Sequence, residues 1–179
     1  GKYETYPSDH YGFNNDDNVY SSKGPSTLLV GDSFTQGVCV EQRNNIAGIL
    51  NKAGYKTISL GIMGFGPLSE LATLIEYAPV LNPKRAFWMF YSGNDLHDLV
   101  EELNYPILKK YLNGPYSQNL ANKQIQIDEF WKNLIEKVKA YSPKEKSVRF
   151  PPVGFNLKYF LTLNHIRNLL GFTLLDFKI

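Results

Sequence analysis

The sequence predicts an α/β domain built on a parallel sheet, and three observations carry that prediction. Short apolar runs at residues 27–30, 57–60 and 85–91 read as strands. The stretches between them place apolar residues at helical spacing. Strand–helix–strand–helix–strand order implies parallel strands joined by right-handed crossovers. Each run is also followed by a Gly-containing turn, and the carboxyl ends of the strands are where open α/β sheets place their ligand crevice.

Residues 1–25 hold Pro7, Gly12, Gly24, Pro25 and the run Asn14-Asn15-Asp16-Asp17-Asn18, and read as an irregular lead-in. Residues 26–30 form strand one. A helix is expected around residues 42–53, with Ile46, Ala47, Ile49 and Leu50 on one face and Gly54 as its stop. Residues 57–60 form strand two, and 61–66 a Gly-rich loop. Pro67 suits the first turn of a second helix, which carries Leu68, Leu71, Ala72, Leu74 and Ile75 and runs to about residue 77. Residues 85–91 form strand three, and its Phe87-Trp88-Met89-Phe90-Tyr91 run is read as core. Residues 92–95 make the next loop. Beyond it, 96–112 is helical in part, 127–140 is an amphipathic helix, 142–154 is a break with solvated Lys144, Lys146 and Arg149, and 157–170 is another helix. The organisation is therefore a lead-in (1–25), an α/β core (26–99) and a mostly helical insertion or continuation (100–179). No fourth strand of comparable quality follows, and three strands make a small sheet. Together with the start at Gly1 rather than Met, this gives the expectation of a truncated domain whose sheet is completed beyond Ile179.

Composition narrows the function. The 179 residues suffice for one core, with 43% hydrophobic and 20% charged residues. A net charge of +2 argues against a nucleic-acid or anionic-membrane partner. Cys39 is the single cysteine, so no internal disulfide is possible; it is expected to pack as a small hydrophobe. No run approaches the roughly 20 apolar residues of a membrane span.

The chemistry concentrates at the three strand ends. Gly31-Asp32-Ser33-Phe34-Thr35-Gln36-Gly37 follows strand one directly. Ser33 offers a hydroxyl nucleophile, and Asp32 beside it is read as a loop-bracing acceptor. Gly64 follows strand two, where a backbone N–H without a neighbouring Cβ can approach a substrate closely. Asn94, followed by Asp95, comes after strand three and offers a side-chain amide. With the Ser33 N–H, these donors suit the oxyanion of a tetrahedral intermediate. The plainer readings are a helix N-cap for Ser33 and turn chemistry for Gly64 and Asn94. The register of all three favours the site.

Gly31-Asp32-Ser33-Phe34, Gly64 in Leu60-Gly61-Ile62-Met63-Gly64, and Gly93-Asn94-Asp95 resemble the first three blocks of the SGNH (GDSL-type) hydrolases, over about residues 26–99. The resemblance implies a flavodoxin-like three-layer α/β/α fold and serine-dependent hydrolysis or transfer of acyl esters, on a small-molecule, carbohydrate or lipid substrate. It assigns Ser33 as nucleophile and Ser33 N–H, Gly64 N–H and Asn94 as the oxyanion hole, with no metal or organic cofactor. Asp9-His10-Tyr11-Gly12-Phe13-Asn14 is similar to a segment of some bacterial envelope-associated members, which points towards the envelope or periplasm. Thr35 stands where the Gly-x-Ser-x-Gly elbow of α/β-hydrolases needs glycine.

The chain departs from the family in one block. Members carry a late Asp-x-x-His; none of His10, His97 and His165 has Asp three positions earlier, and Ile179 stands three after Asp176. A serine hydroxyl is a weak nucleophile without a base. His97, beside Asp95 and Asp98, is a substitute base, though a surface histidine at a helix start fits it better. His10 reads as structural or exposed, and His165 as lying on a helix face. The alternative function is a non-catalytic module that binds a ligand or glycan; the glycine pattern of a P-loop or dinucleotide fingerprint is missing. No His, Cys, Asp or Glu cluster has metal spacing.

Overall fold

The computed structural model describes residues 8–20 and 24–141, with side chains through residue 137. The chain divides into two compact units, Gly1–Asn122 and Lys123–Ile179. The first is an α/β unit on a three-stranded parallel sheet. Strand β1 (Thr27–Gly31) is buried along its whole length. It pairs with β2 (Thr57–Ser59) on one side and β3 (Arg85–Met89) on the other, so the order is β2-β1-β3. Leu29 lies opposite Ser59 and Phe87, and Gly31 opposite Met89. All three carboxyl ends therefore share one edge. The unbroken Leu28-Leu29-Val30 run is what a strand covered on both faces requires.

Helix α1 (Ser33–Gln36) is a single turn that the periodicity did not predict, because four residues carry no periodic signal. The expected helix over 42–53 splits into a 3-10 turn (Gln42–Asn44) and α2 (Ile46–Lys52). Asn45 is the reason: its side chain accepts from Gly48 N–H at 2.7 Å and caps α2. Helix α3 (Pro67–Leu81) runs past the expected end through Pro79, and stops where Asn82 turns left-handed at φ 47°. Helices α4 (Asp95–Glu102) and α5 (Pro106–Lys109) occupy the stretch read as partly helical. Helix α2 packs on β2, α3 on β1, and α4 and α5 on α3. The core beneath them is Leu28, Val30, Ile58, Leu60, Leu68 and Ala72, closed by Phe13 and Tyr77 in an edge-to-face contact. In the second unit, α6 (Gln124–Tyr141) is the amphipathic helix read over 127–140. The break at 142–154, the helix at 157–170, His165 and Asp176 lie outside the described residues.

Two sequence expectations are corrected. The aromatic run of strand three is not core. β3 ends at Met89 and, among the described residues, pairs with β1 alone; Phe87 is 50% and Trp88 47% exposed, with Phe90 and Tyr91 exposed beyond them. An apolar run reads the same whether its strand is central or at an edge. Cys39 is exposed rather than packed, because it follows the left-handed Gly37 that ends α1.

The two edges of the sheet differ. On β2, the Asn51 side chain accepts from Thr57 N–H at 2.7 Å and donates to Thr57 C=O at 2.8 Å. The Asn15 side chain does the same for Ser59, at 2.8 Å in both directions. Two asparagine amides thus stand in for a neighbouring strand and close this edge. The lead-in that delivers Asn15 is irregular but fixed. Asp9 accepts from Tyr11 N–H, Phe13 N–H, Asn15 Nδ2 and Tyr20 Oη at 2.6–3.0 Å.

Candidate active site

Ser33 sits two residues past the carboxyl end of β1, as the first residue of α1. The cap of that helix is Asp32 rather than Ser33: Phe34 N–H donates to Asp32 Oδ1 at 2.9 Å. This leaves the Ser33 side chain uncommitted. It is half-buried, and among the described residues neither its Oγ nor its N–H has a hydrogen-bond partner. Helix α1 lies tight on the next loop. A Cβ on Gly61 would stand 2.3 Å from Gln36 N, so glycine is required there.

Gly64 occupies the third position of the turn from Ile62 to Phe65, closed by Phe65 N–H donating to Ile62 C=O at 3.1 Å. Its φ of +83° is the left-handed value that a type II turn demands at that position. Its N–H makes no hydrogen bond among the described residues. Asn94 caps α4 by position, and its side chain is oriented by α4 itself, Nδ2 donating to Asp98 Oδ2 at 3.0 Å. An amide nitrogen carries two hydrogens, so one stays available to a ligand.

Three links tie the turns to one another. Met63 N–H donates to Gln36 Oε1 at 2.6 Å, joining the Gly64 loop to the serine turn. The Phe34 and Tyr91 rings meet at 4.7 Å, joining the serine turn to the end of β3. Glu102 reaches from α4 to the start of α3, where its carboxylate accepts from Gly66, Leu68 and Ser69 N–H at 2.8–3.3 Å and from Ser69 Oγ. That third link joins the Gly64 loop to the helix headed by Asn94. Gly66 cannot cap α3 with a side chain, and a Cβ there would stand 2.6 Å from Asp98 Cβ. Burial pushes the Glu102 carboxyl above its ordinary range, and the four donors pull it back.

Asp95 is fully buried and accepts from Tyr91 N–H at 2.6 Å, which braces the Asn94 turn. Burial raises its pKa, and Asp32 and Asp98 add to the rise. Neither described histidine hydrogen-bonds Ser33. His97 is three-quarters exposed, its Nδ1 3.6 Å from Glu101 Oε1 and 3.9 Å from Asp98 Oδ1. His10 is held 2.7 Å from Asp17 Oδ1 and packs on the Tyr11 and Tyr20 rings. No group of three or more His, Cys, Asp or Glu suited to a metal ion occurs among the described residues. Nor is any helix among them long and apolar enough to cross a membrane.

Sequence reasoning missed Gln36, Asp98 and Glu102 as supports of the site. Asp98 had a local signal, four residues after Asn94 on a helix start. The Glu102 and Gln36 contacts bridge some thirty residues and have none. No family model, curated protein or solved structure matches this chain.

Proposed function

We propose that the protein is a serine-dependent ester hydrolase or acyltransferase of the SGNH type, on a flavodoxin-like three-layer fold. What supports this is the company Ser33 keeps: a hydroxyl with no hydrogen-bond partner among the described residues, at the carboxyl edge of a parallel sheet, on a turn linked to the Gly64 and Asn94 turns. Ser33 Oγ attacks the acyl carbonyl carbon. The carbonyl oxygen takes the developing negative charge, and Ser33 N–H, Gly64 N–H and the second Asn94 Nδ2 hydrogen receive it. The alcohol leaves, and the acyl-enzyme passes its acyl group to water or to a hydroxyl acceptor. The mechanism requires a general base from outside the described residues, since His10 is held by Asp17 and His97 is turned along α4 towards Glu101.

The same observation favours a second reading, a ligand- or glycan-binding module. One experiment separates the two. Cleavage of short-chain acyl esters is measured for the full-length protein and its Ser33→Ala variant. Turnover lost in Ser33→Ala supports the enzyme. Equal, substantial turnover in both refutes the nucleophile, and binding without turnover that survives the substitution supports the module.

A further inference from the structure

A cleft of about 420 Å³ lies between the lead-in and α2, within the roughly 300–1,000 Å³ of small-molecule sites. None of Ser33, Gly64 and Asn94 lines it. Its walls are rich in carboxamides: Asn14, Asn15 and Asn18 of the lead-in, and Gln42, Asn45 and Asn51 on or beside α2. Two of these amides are half used. Asn14 is 1% exposed, and its Nδ2 donates to Gln36 C=O at 2.8 Å. Asn45 is 3% exposed, and its Oδ1 accepts from Gly48 N–H at 2.7 Å. Their other ends, Asn14 Oδ1 and Asn45 Nδ2, are buried with no hydrogen-bond partner among the described residues. Neither amide gains by turning end for end: that would set Asn14 Oδ1 against Gln36 C=O and Asn45 Nδ2 against Gly48 N–H. Both side chains adjoin the end of α1, since a Cβ on Gly37 would stand 2.5 Å from Asn45 Cβ. The lining therefore holds an acceptor and a donor with nothing to meet, and a buried polar group left so is costly.

We propose that this cleft binds a small polyhydroxylated carboxylate, a sugar acid, with one hydroxyl on Asn14 and Asn45 and its carboxylate towards Lys52. A hydroxyl both donates and accepts, so a single ligand group answers Asn14 Oδ1 and Asn45 Nδ2 together. The charge preference comes from the lining, where Arg43 and Lys52 stand against one acid, Asp16. Arg43 is already taken, its Nε 2.7 Å from Glu41 Oε2. Lys52 Nζ has a neutral partner, Asn44 Oδ1 at 3.3 Å, and no carboxylate among the described residues. Val19 and Ala47 give the carbon chain a small apolar contact. No aromatic ring lines the cleft, so a nucleobase or other flat ligand finds nothing to stack on. The proposed reacting groups take no part, so the site stands whether or not Ser33 is a nucleophile.

The test is an NMR titration of the isotopically labelled full-length protein with gluconate and with sorbitol, its uncharged counterpart on the same carbon chain. Gluconate should shift the Asn45 side-chain NH2 and the Gly48 and Lys52 amides saturably, with a Kd of about 1 mM or tighter, and sorbitol should bind about tenfold more weakly. Lys52 is exposed, so Lys52→Gln should erase that preference and leave the fold intact. Asn45→Asp keeps the oxygen that caps α2 and loses the free donor. It should weaken gluconate and sorbitol alike by about tenfold, which repulsion of a carboxylate alone would not do, while the Gly48 amide stays protected in hydrogen exchange. Shifts that saturate with neither compound mean a cleft that holds only water, and would overturn the proposal. Equal affinity for the two compounds would overturn the role of Lys52, and unchanged binding in Asn45→Asp would overturn the site itself. Saturable shifts centred on Ser33, Gly64 and Asn94 would move the sugar acid to the other crevice and overturn the proposal as well.

Discussion

Glu102→Ala should be the most damaging single change to the site's frame that leaves every proposed reacting group in place. The carboxylate accepts three backbone N–H groups at the start of α3 and the Ser69 hydroxyl, and Glu102 is 3% exposed. A net hydrogen bond is worth about 1 kcal/mol, more to a charged group, and a donor left buried costs about 1–3 kcal/mol. Four such bonds set the loss near 4 kcal/mol; water entering the space vacated by the side chain brings it to about 3 kcal/mol. Against a total stability of about 5–15 kcal/mol, that is a large fraction. At about 2–4 °C per kcal/mol for a chain of this size, Tm should fall by about 10 °C. Thermal unfolding followed by circular dichroism measures it. Hydrogen exchange at Leu68 and Ser69 should show those amides opening first. Stability within about 0.5 kcal/mol of the parent, the range of an ordinary surface change, with both amides still protected, would refute Glu102 as the cap of α3.

Gly64→Ala places a side chain at φ +83°, which should cost about 1–2 kcal/mol in unfolding experiments and lower acyl transfer further by crowding the N–H. Asn94→Ala should reduce the rate about 10²–10³-fold with little change in KM, read from steady-state ester cleavage. Asn15→Ala exposes Ser59 N–H and C=O on the β2 edge; a loss of about 2 kcal/mol and a concentration-dependent association, seen by light scattering, are expected. Ser33→Ala should leave stability within about 0.5 kcal/mol, because its hydroxyl has no partner to lose among the described residues.

The α/β order was legible because a strand buried on both faces must be an uninterrupted apolar run, and Leu28-Leu29-Val30 is one. The placement of the three candidate turns at one edge was legible for a related reason. Parallel strands bring their carboxyl ends to one edge, so any polar turn following a strand is a candidate without a contact being known. The exposure of β3 was not legible, since Phe87 and Trp88 look the same in a covered strand. The ties that hold the site together were not legible either. Glu102 meets Gly66 across 36 residues, Gln36 meets Met63 across 27, and Asn15 meets Ser59 across 44. Asp9 and Asn15, read as part of an irregular lead-in, turn out to secure the β2 edge through contacts that no local pattern encodes.

The claim that Ser33 is a nucleophile is tested most directly by covalent capture. The full-length protein is treated with an alkyl fluorophosphonate, which reacts with serines whose oxygen is activated, and the modified peptide is located by mass spectrometry. The account predicts one phosphonyl group on the peptide containing Ser33, none in Ser33→Ala, and loss of ester cleavage in step with labelling. Ester cleavage that continues with Ser33 unlabelled would contradict it.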